Sequence, residues 1–324
     1  MRATRRLATT IISWAAIAAA EPRVRVALQV SGHLRELCES NATAGLDNFA
    51  PLEALVASCR EHADCDVFVH TWSTLDASTP TWHTPRPPDP RPSAPCAARL
   101  ARLRPAAVAV DEQPRSALAN RTWWRGGRWG DSLVSVAGVL AAVRATRLAA
   151  QLRADFEGAA EGATAAPYDV AVRLRPDIYP RDRGNMRTVR VKAVDNASWA
   201  VPVRAARRAD RMPVVRGCDS ECRPGIKSCD MCFWAAPPST LDKLLARWDD
   251  IAEAGVRNNL CWQDWRARNP DKAEAERRQD WRAALAGGAP CEMRPGRDGL
   301  PEGLLENALG QAGLESRRLK EPCC

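Results

Sequence analysis

The chain has 324 residues, the length of one large α/β domain or about two average ones. Hydrophobic residues make up 45% and charged residues 27%, which excludes a disordered or collagen-like chain. The formal charge is +8, but only five of the 47 cationic residues are lysine, and this Arg skew is as readily a habit of genome composition as the mark of a nucleic-acid partner. Two counts stand out: twelve Cys, and twelve Trp against four Phe and two Tyr.

Met1 to Arg6 is a positive stretch, and Leu7 to Ala20 is an apolar run of fourteen residues. Ala18-Ala19-Ala20 before Glu21-Pro22 reads as a small-residue cleavage site. A spanning helix needs about 20 residues, so residues 1–20 are expected to be a cleaved signal peptide, with a short signal-anchor as the alternative. Membrane contact is then at most that N-terminal anchor. Removing residues 1–20 takes away Arg2, Arg5 and Arg6, and the charge falls from +8 to +5. Three sequons (Asn41-Ala-Thr43, Asn120-Arg-Thr122 and Asn196-Ala-Ser198) and the twelve Cys agree with an oxidising route. The expected location is the secretory pathway, in the Golgi or ER lumen, or outside the cell. No nucleic-acid partner is expected there.

Residues 21–324 read as a single domain. Val24 to Val30 is a β-branched apolar strand followed at once by Ser31-Gly32. A helix is expected from about Leu46 to Arg60, with Pro51 in its first turns. Asp66 to His70 is a second strand, ending at Thr71-Trp72. Residues 79–95 hold seven prolines and are expected to form a surface loop. Ala106 to Val110 is a third strand. Asp131 or Ser132 is expected to cap a long helix to about Phe156, with Leu133, Val136, Leu140, Val143 and Leu152 near a 3.6-residue period. Tyr168 to Leu174 is a fourth strand. Thr188–Val194, Trp199–Val203 and Phe233–Ala236 are further strand candidates. Ser239 is expected to cap a helix through about Ala254. Residues 258–286 read as a charged peripheral helix, and Pro301 starts a last one, so that 239–315 is a helical C-terminal part.

Near-continuous apolar strands separated by helical segments predict an α/β fold with a mostly parallel central sheet flanked by helices. In such sheets ligands sit beyond the strands' carboxyl ends. Those ends are Ser31-Gly32-His33-Leu34-Arg35, His70-Thr71-Trp72, Asp111-Glu112 and Arg175-Pro176-Asp177. Gly32 either lets a diphosphate or ribose approach the backbone, with Arg35 pairing to phosphate, or is an ordinary strand-to-loop glycine. The pattern is not G-x-G-x-x-G, and no P-loop or G-x-S-x-G occurs. His70 and Trp72 either offer a ring and an apolar face to a sugar or base, or are packed. Arg173, Arg175 and Asp177 end an apolar run in three charges, which is costly unless they are paired or used. The arginines can neutralise a diphosphate, and Asp177 can hold a divalent metal or a sugar hydroxyl; the alternative is a salt bridge at the strand end.

Cys218, Cys222, Cys229 and Cys232 have spacings that suit zinc in a cytosolic protein. Behind a signal peptide they favour two disulfides pinning a Cys-rich loop at 218–232. Asp230 lies within that loop and can approach the site.

The segments Val26-Ala-Leu-Gln-Val-Ser-Gly-His-Leu-Arg35, Cys65-Asp-Val-Phe-Val-His-Thr-Trp72 and Tyr168-Asp-Val-Ala-Val-Arg-Leu-Arg-Pro-Asp-Ile-Tyr179 resemble a diffuse family of GT-A-like glycosyltransferases of algae, plants, large viruses and microbes. Their segments read like SGxxR, DxFxHTW and YDxVxRxRxD. Asp230 to Asp242 and Pro301-Glu-Gly-Leu-Leu305 also look like segments of that family. The resemblance implies a GT-A-like, Rossmann-type domain using a nucleotide sugar as donor and a glycan or glycoprotein as acceptor. It implies nucleotide contacts from Gly32, Arg35, His70, Trp72, Arg173 and Arg175, and catalytic roles for Asp177 and, as a carboxylate base, Asp230. GT-A enzymes usually carry Asp-x-Asp at the end of the fourth strand to hold Mn²⁺ or Mg²⁺. Here the stretch is Arg175-Pro-Asp177, so Asp177 alone is left to bind metal, and Arg175 can supply part of the missing charge. Asp64-Cys-Asp66 begins a strand and stands at the wrong end. The competing reading is a secreted, disulfide-stabilised, lectin-like protein that stacks sugars on Trp123, Trp124 and Trp129 without catalysis.

Overall fold

The computed structural model describes residues 23–34, 37, 40–41, 46–47, 49–76, 89–113, 122–125, 132–159, 167–176, 214–216, 233–268 and 316–318. The strands are β1 (Arg25–Ser31), β2 (Ser40–Asn41), β3 (Leu46–Asp47), β4 (Asp64–Trp72), β5 (Thr74–Asp76), β6 (Asp89–Pro92), β7 (Ala107–Asp111), β8 (Thr122–Arg125), β9 (Ser132–Ser135), β10 (Val170–Leu174), β11 (Val214–Arg216), β12 (Phe233–Ala236) and β13 (Ser316–Arg318). The helices are α1 (Ala50–His62), α2 (Ala94–Leu100), α3 (Val136–Ala159), α4 (Pro238–Leu245) and α5 (Trp248–Arg268).

Seven strands form one sheet in the order β13-β11-β12-β10-β1-β4-β7. Pairing is parallel from β10 through β1 and β4 to β7, and β12 alone runs against the others. The fold is therefore α/β with a mostly parallel sheet, compatible with a Rossmann-like arrangement. The chain winds outward from β1 to β4 and β7, then returns to the other side of β1 as β10. That reversal makes the crevice between β1 and β10 the topological switch point of the sheet.

Alternation along the strands sends side chains to two cores. Val26, Leu28 and Val30 of β1 join Val67, Val69, Val170, Val172 and Leu174 under α1 and α2, against Leu52, Val56, Cys59 and Leu100. Each such side chain, fully buried, contributes about 1.5–3 kcal/mol. Ala27, Phe68, Ala171 and Ala236 face α3, α4 and α5, against Val143, Leu241, Leu244, Trp248 and Val256. Near the carboxyl end of that face the indole of Trp72 fits against Ala141 and Ala145 of α3. Small residues one turn apart on the helix leave room for this large ring.

The amino edge is closed by charge. Arg23 donates to the carbonyls of Arg60, Glu61 and Ala63 and so caps the end of α1. The Tyr168 hydroxyl donates to Asp66 at 2.6 Å, and the Arg25 guanidinium lies 4.5 Å over the Tyr168 ring. Burial, first, and the Asp66 carboxylate hold the Tyr168 phenol well above its ordinary range. A Cys59–Cys65 disulfide joins α1 to the start of β4; Cys96 and Cys261 are also disulfide-bonded. Among the described residues no helix is long and apolar enough to cross a membrane.

Several expected elements shift. The loop expected over 79–95 ends in β6 and the start of α2, where Ser93 takes the N-cap position and a proline sits in the first turn. The helix expected from Asp131 or Ser132 begins only at Val136, because 132–135 pairs with 122–125 in a hairpin, Trp123 opposite Val134 and Trp124 opposite Leu133. The single helix expected from Ser239 to Ala254 is two, α4 and α5, and Pro237, not Ser239, is at the N-cap of the first. Phe233–Ala236 is a strand, as expected. Residues 1–20, 188–203, 218–232 and 301–315 lie outside the described residues.

Candidate functional site

The carboxyl ends of β1, β4 and β10 meet at Gly32. Its φ is +133°, a conformation that L side chains rarely adopt, and a Cβ there would lie 3.3 Å from Pro176 Cδ. Its N–H donates to the His70 carbonyl at 3.2 Å. One glycine thus joins the ends of three strands: its own, β4 through the hydrogen bond, and β10 through the proline. The residue before it, Ser31, is buried and donates to Thr146 Oγ1 at 3.3 Å, since the Thr146 hydroxyl donates to the Ala142 carbonyl.

Two imidazoles neighbour Trp72. His70 is T-shaped to the indole, with ring centroids 4.8 Å apart, and His33 is tilted at 6.3 Å. His70 Nε2 contacts Asp111 Oδ2 at 3.0 Å. A carboxylate only accepts, so Nε2 carries the proton. His33 Nε2–H donates to Gln113 Oε1 at 2.8 Å. The end of β7 is therefore tied to the ends of β1 and β4 by two ring N–H groups. Burial pulls the His70 imidazole below its ordinary range; the Asp111 hydrogen bond and charge oppose this, and the Arg144 charge adds to it.

The expected site residues fall into three groups. Gly32 and Arg175 stand at the switch-point crevice, Arg175 half-buried. His70, Trp72 and Arg173 are each about 1% exposed and lie beneath the carboxyl edge. Trp72 presents no open face to a sugar or base, and its carbonyl is held by the Ser93 hydroxyl at 2.6 Å. Arg35, Asp177 and Asp230 lie outside the described residues. Among the described residues no group of three His, Cys, Asp or Glu side chains could hold a metal ion.

Four further residues belong to this edge. Asp111 stood among the strand ends in the sequence, and His33 stood within the first motif, so position beyond a strand could have found both. Gln113 and Thr146 carry no local signal. Gln29 also lies on the α3 side, in register with Arg173 of β10 and Phe68 of β4. It is fully buried, and neither its amide oxygen nor its nitrogen has a hydrogen-bond partner among the described residues.

A shallow cleft of about 380 Å³ lies at the opposite, amino edge, lined by Arg23, Arg60, Asp64, Asp66 and Arg104 among others. Its chemistry is already spent inside the fold. Arg23 caps α1, and Arg60 donates to the carbonyls of Cys65 and Arg104. Asp64 and Asp66 face Arg23 and Arg25 at 3.7 Å. The carboxyl edge is the better candidate. No family model, curated protein or solved structure matches the chain.

Proposed function

We propose that the chain is a secretory-pathway glycosyltransferase of GT-A-like fold, moving a sugar from a nucleotide-sugar donor to a glycan or glycoprotein acceptor. The observation that carries this reading is the contact of Gly32 with Pro176, because it sets the backbone of Ser31-Gly32 beside Arg175 at the switch point. A diphosphate in that crevice meets strand-end backbone on one side and a guanidinium on the other. Arg175, with Arg35, takes the phosphate oxygens and stabilises the charge that builds on the departing nucleoside diphosphate. Buried Arg173 adds positive potential from below. His70 and Trp72 serve as the floor that holds the strand ends in place. Asp177 contacts the transferred sugar, and Asp230 is the carboxylate that takes the acceptor proton if the transfer inverts the anomeric centre. The three sequence islands that resemble GT-A-like glycosyltransferases support the same reading.

Calorimetric titration of UDP and GDP into wild type and Asp177→Ala tests it. Wild type is expected to bind one of the two, and Asp177→Ala to bind it more weakly. No binding by wild type to either nucleotide would sink the reading and favour the lectin-like alternative, which needs no nucleotide.

A further inference from the structure

The carboxylate of Asp111 is both open and fixed. Its side chain is 53% exposed at the end of β7, yet the N–H of His70, whose own side chain is 0% exposed, holds Oδ2 at 3.0 Å. His70 is in turn set edge-on against the buried Trp72, which rests on the alanines of α3. An unsupported surface Asp turns freely about its side-chain torsions, whereas this one is oriented by a buried donor. Among the described residues, Oδ1 and the second lone pair of Oδ2 are left for a partner from solvent. A carboxylate only accepts, so the partner offers O–H or N–H groups and is not a phosphate.

The place of Asp111 in the sheet narrows that partner. It lies two strands beyond β1, about 10 Å at ordinary strand spacing. Glu112 follows it and is exposed, so two carboxylates stand at this end, with the Arg144 charge near His70, while Arg175 stands at the other end. A nucleoside diphosphate laid along the edge therefore has its anionic end at the crevice and its neutral, hydroxyl-bearing part over β4 and β7. In dinucleotide-binding α/β sheets a carboxylate about 20 residues past the glycine-rich turn takes a ribose hydroxyl; Asp111 offers the same chemistry from one strand further along the edge.

Resting on the nucleotide-sugar reading, we propose that Asp111, oriented by His70, accepts hydrogen bonds from the vicinal ribose hydroxyls of the donor nucleotide and makes the site selective for ribonucleotides. His70 is a positioning residue in this scheme; Asp111 touches the ligand.

The test is calorimetric titration of UDP, GDP and their 2′-deoxy and 2′,3′-dideoxy analogues into wild type and Asp111→Asn. Wild type is expected to prefer the ribonucleotide by about tenfold or more, the worth of a charge-assisted hydrogen bond. Asp111→Asn is expected to bind the ribonucleotide about tenfold more weakly and to lose most of the preference, with its melting temperature little changed. A variant that binds as wild type does, or keeps the full preference, overturns the assignment and leaves the nucleotide reading standing. Wild type that binds neither UDP nor GDP overturns both. If Asp111→Asn does not fold, the wild-type comparison decides alone, because equal affinity for UDP or GDP and its dideoxy analogue overturns the assignment.

Discussion

Gly32 and Pro176 meet across the crevice at which the sheet reverses its winding: a Cβ on residue 32 would lie 3.3 Å from the proline ring, on a backbone with φ of +133°. The torsion calls for glycine, and a Cβ would in addition press on the proline ring. The contact couples the end of β1 to the end of β10, so the local need for glycine also sets the geometry of the proposed diphosphate site.

Gly32→Ala is accordingly expected to lose about 1–3 kcal/mol of stability, the cost of holding an L side chain in that sparsely populated conformation. It should also push Pro176 and Arg175 away from Ser31 and weaken nucleotide binding beyond what the stability loss explains. Chemical denaturation and calorimetry on the same preparation separate the two effects. A variant as stable as wild type would contradict the strain.

His70 gives a pH dependence with a defined sign. Burial lowers its imidazole below the ordinary 6.5 in the fold. Between the folded and unfolded values the unfolded chain binds more protons, so the native state is favoured by rising pH. This contribution is complete above 6.5 and is lost as pH falls through the folded value. Melting temperatures from about pH 7.5 to about pH 5 should fall further for wild type than for His70→Gln, which keeps an N–H for Asp111 but does not titrate. Identical pH slopes in the two proteins would show that the imidazole is not held neutral by the fold.

Gln29 places an amide with no hydrogen-bond partner among the described residues in the floor of the sheet. Gln29→Met has similar volume and no strong polar group. It is expected to raise stability by about 1–3 kcal/mol, the range for a buried unsatisfied group. Guanidinium denaturation reads this directly. A Met variant less stable than wild type would mean that the amide is satisfied in solution.

The four parallel strands at the centre were legible because each is an apolar run in the sequence: Val24–Val30, Asp66–His70, Ala106–Val110 and Tyr168–Leu174 lie on β1, β4, β7 and β10. Their carboxyl ends were legible for the same reason, so Gly32, His70 and Arg175 could be placed at strand ends from the sequence. Three-residue strands such as Val214–Arg216 and Ser316–Arg318 have no period to read, and they exist only because β12 and β11 offer them backbone partners. The pairing of 132–135 with 122–125 takes the first residues of a helix-compatible pattern into a strand. The pairs His70–Asp111 and His33–Gln113 span 41 and 80 residues. Sheet order alone brings them together, so no local pattern marks them. The burial of Trp72 was equally hidden, since it depends on alanines of α3 about 70 residues away.

Hydrolysis of a panel of nucleotide sugars by the purified chain, with and without Mn²⁺, tests the central claim most directly. Slow release of the nucleoside diphosphate from one donor is expected, abolished by Asp177→Ala and reduced by Gly32→Ala. A wild-type protein that folds, binds glycans and releases nothing from any donor under either condition would contradict it.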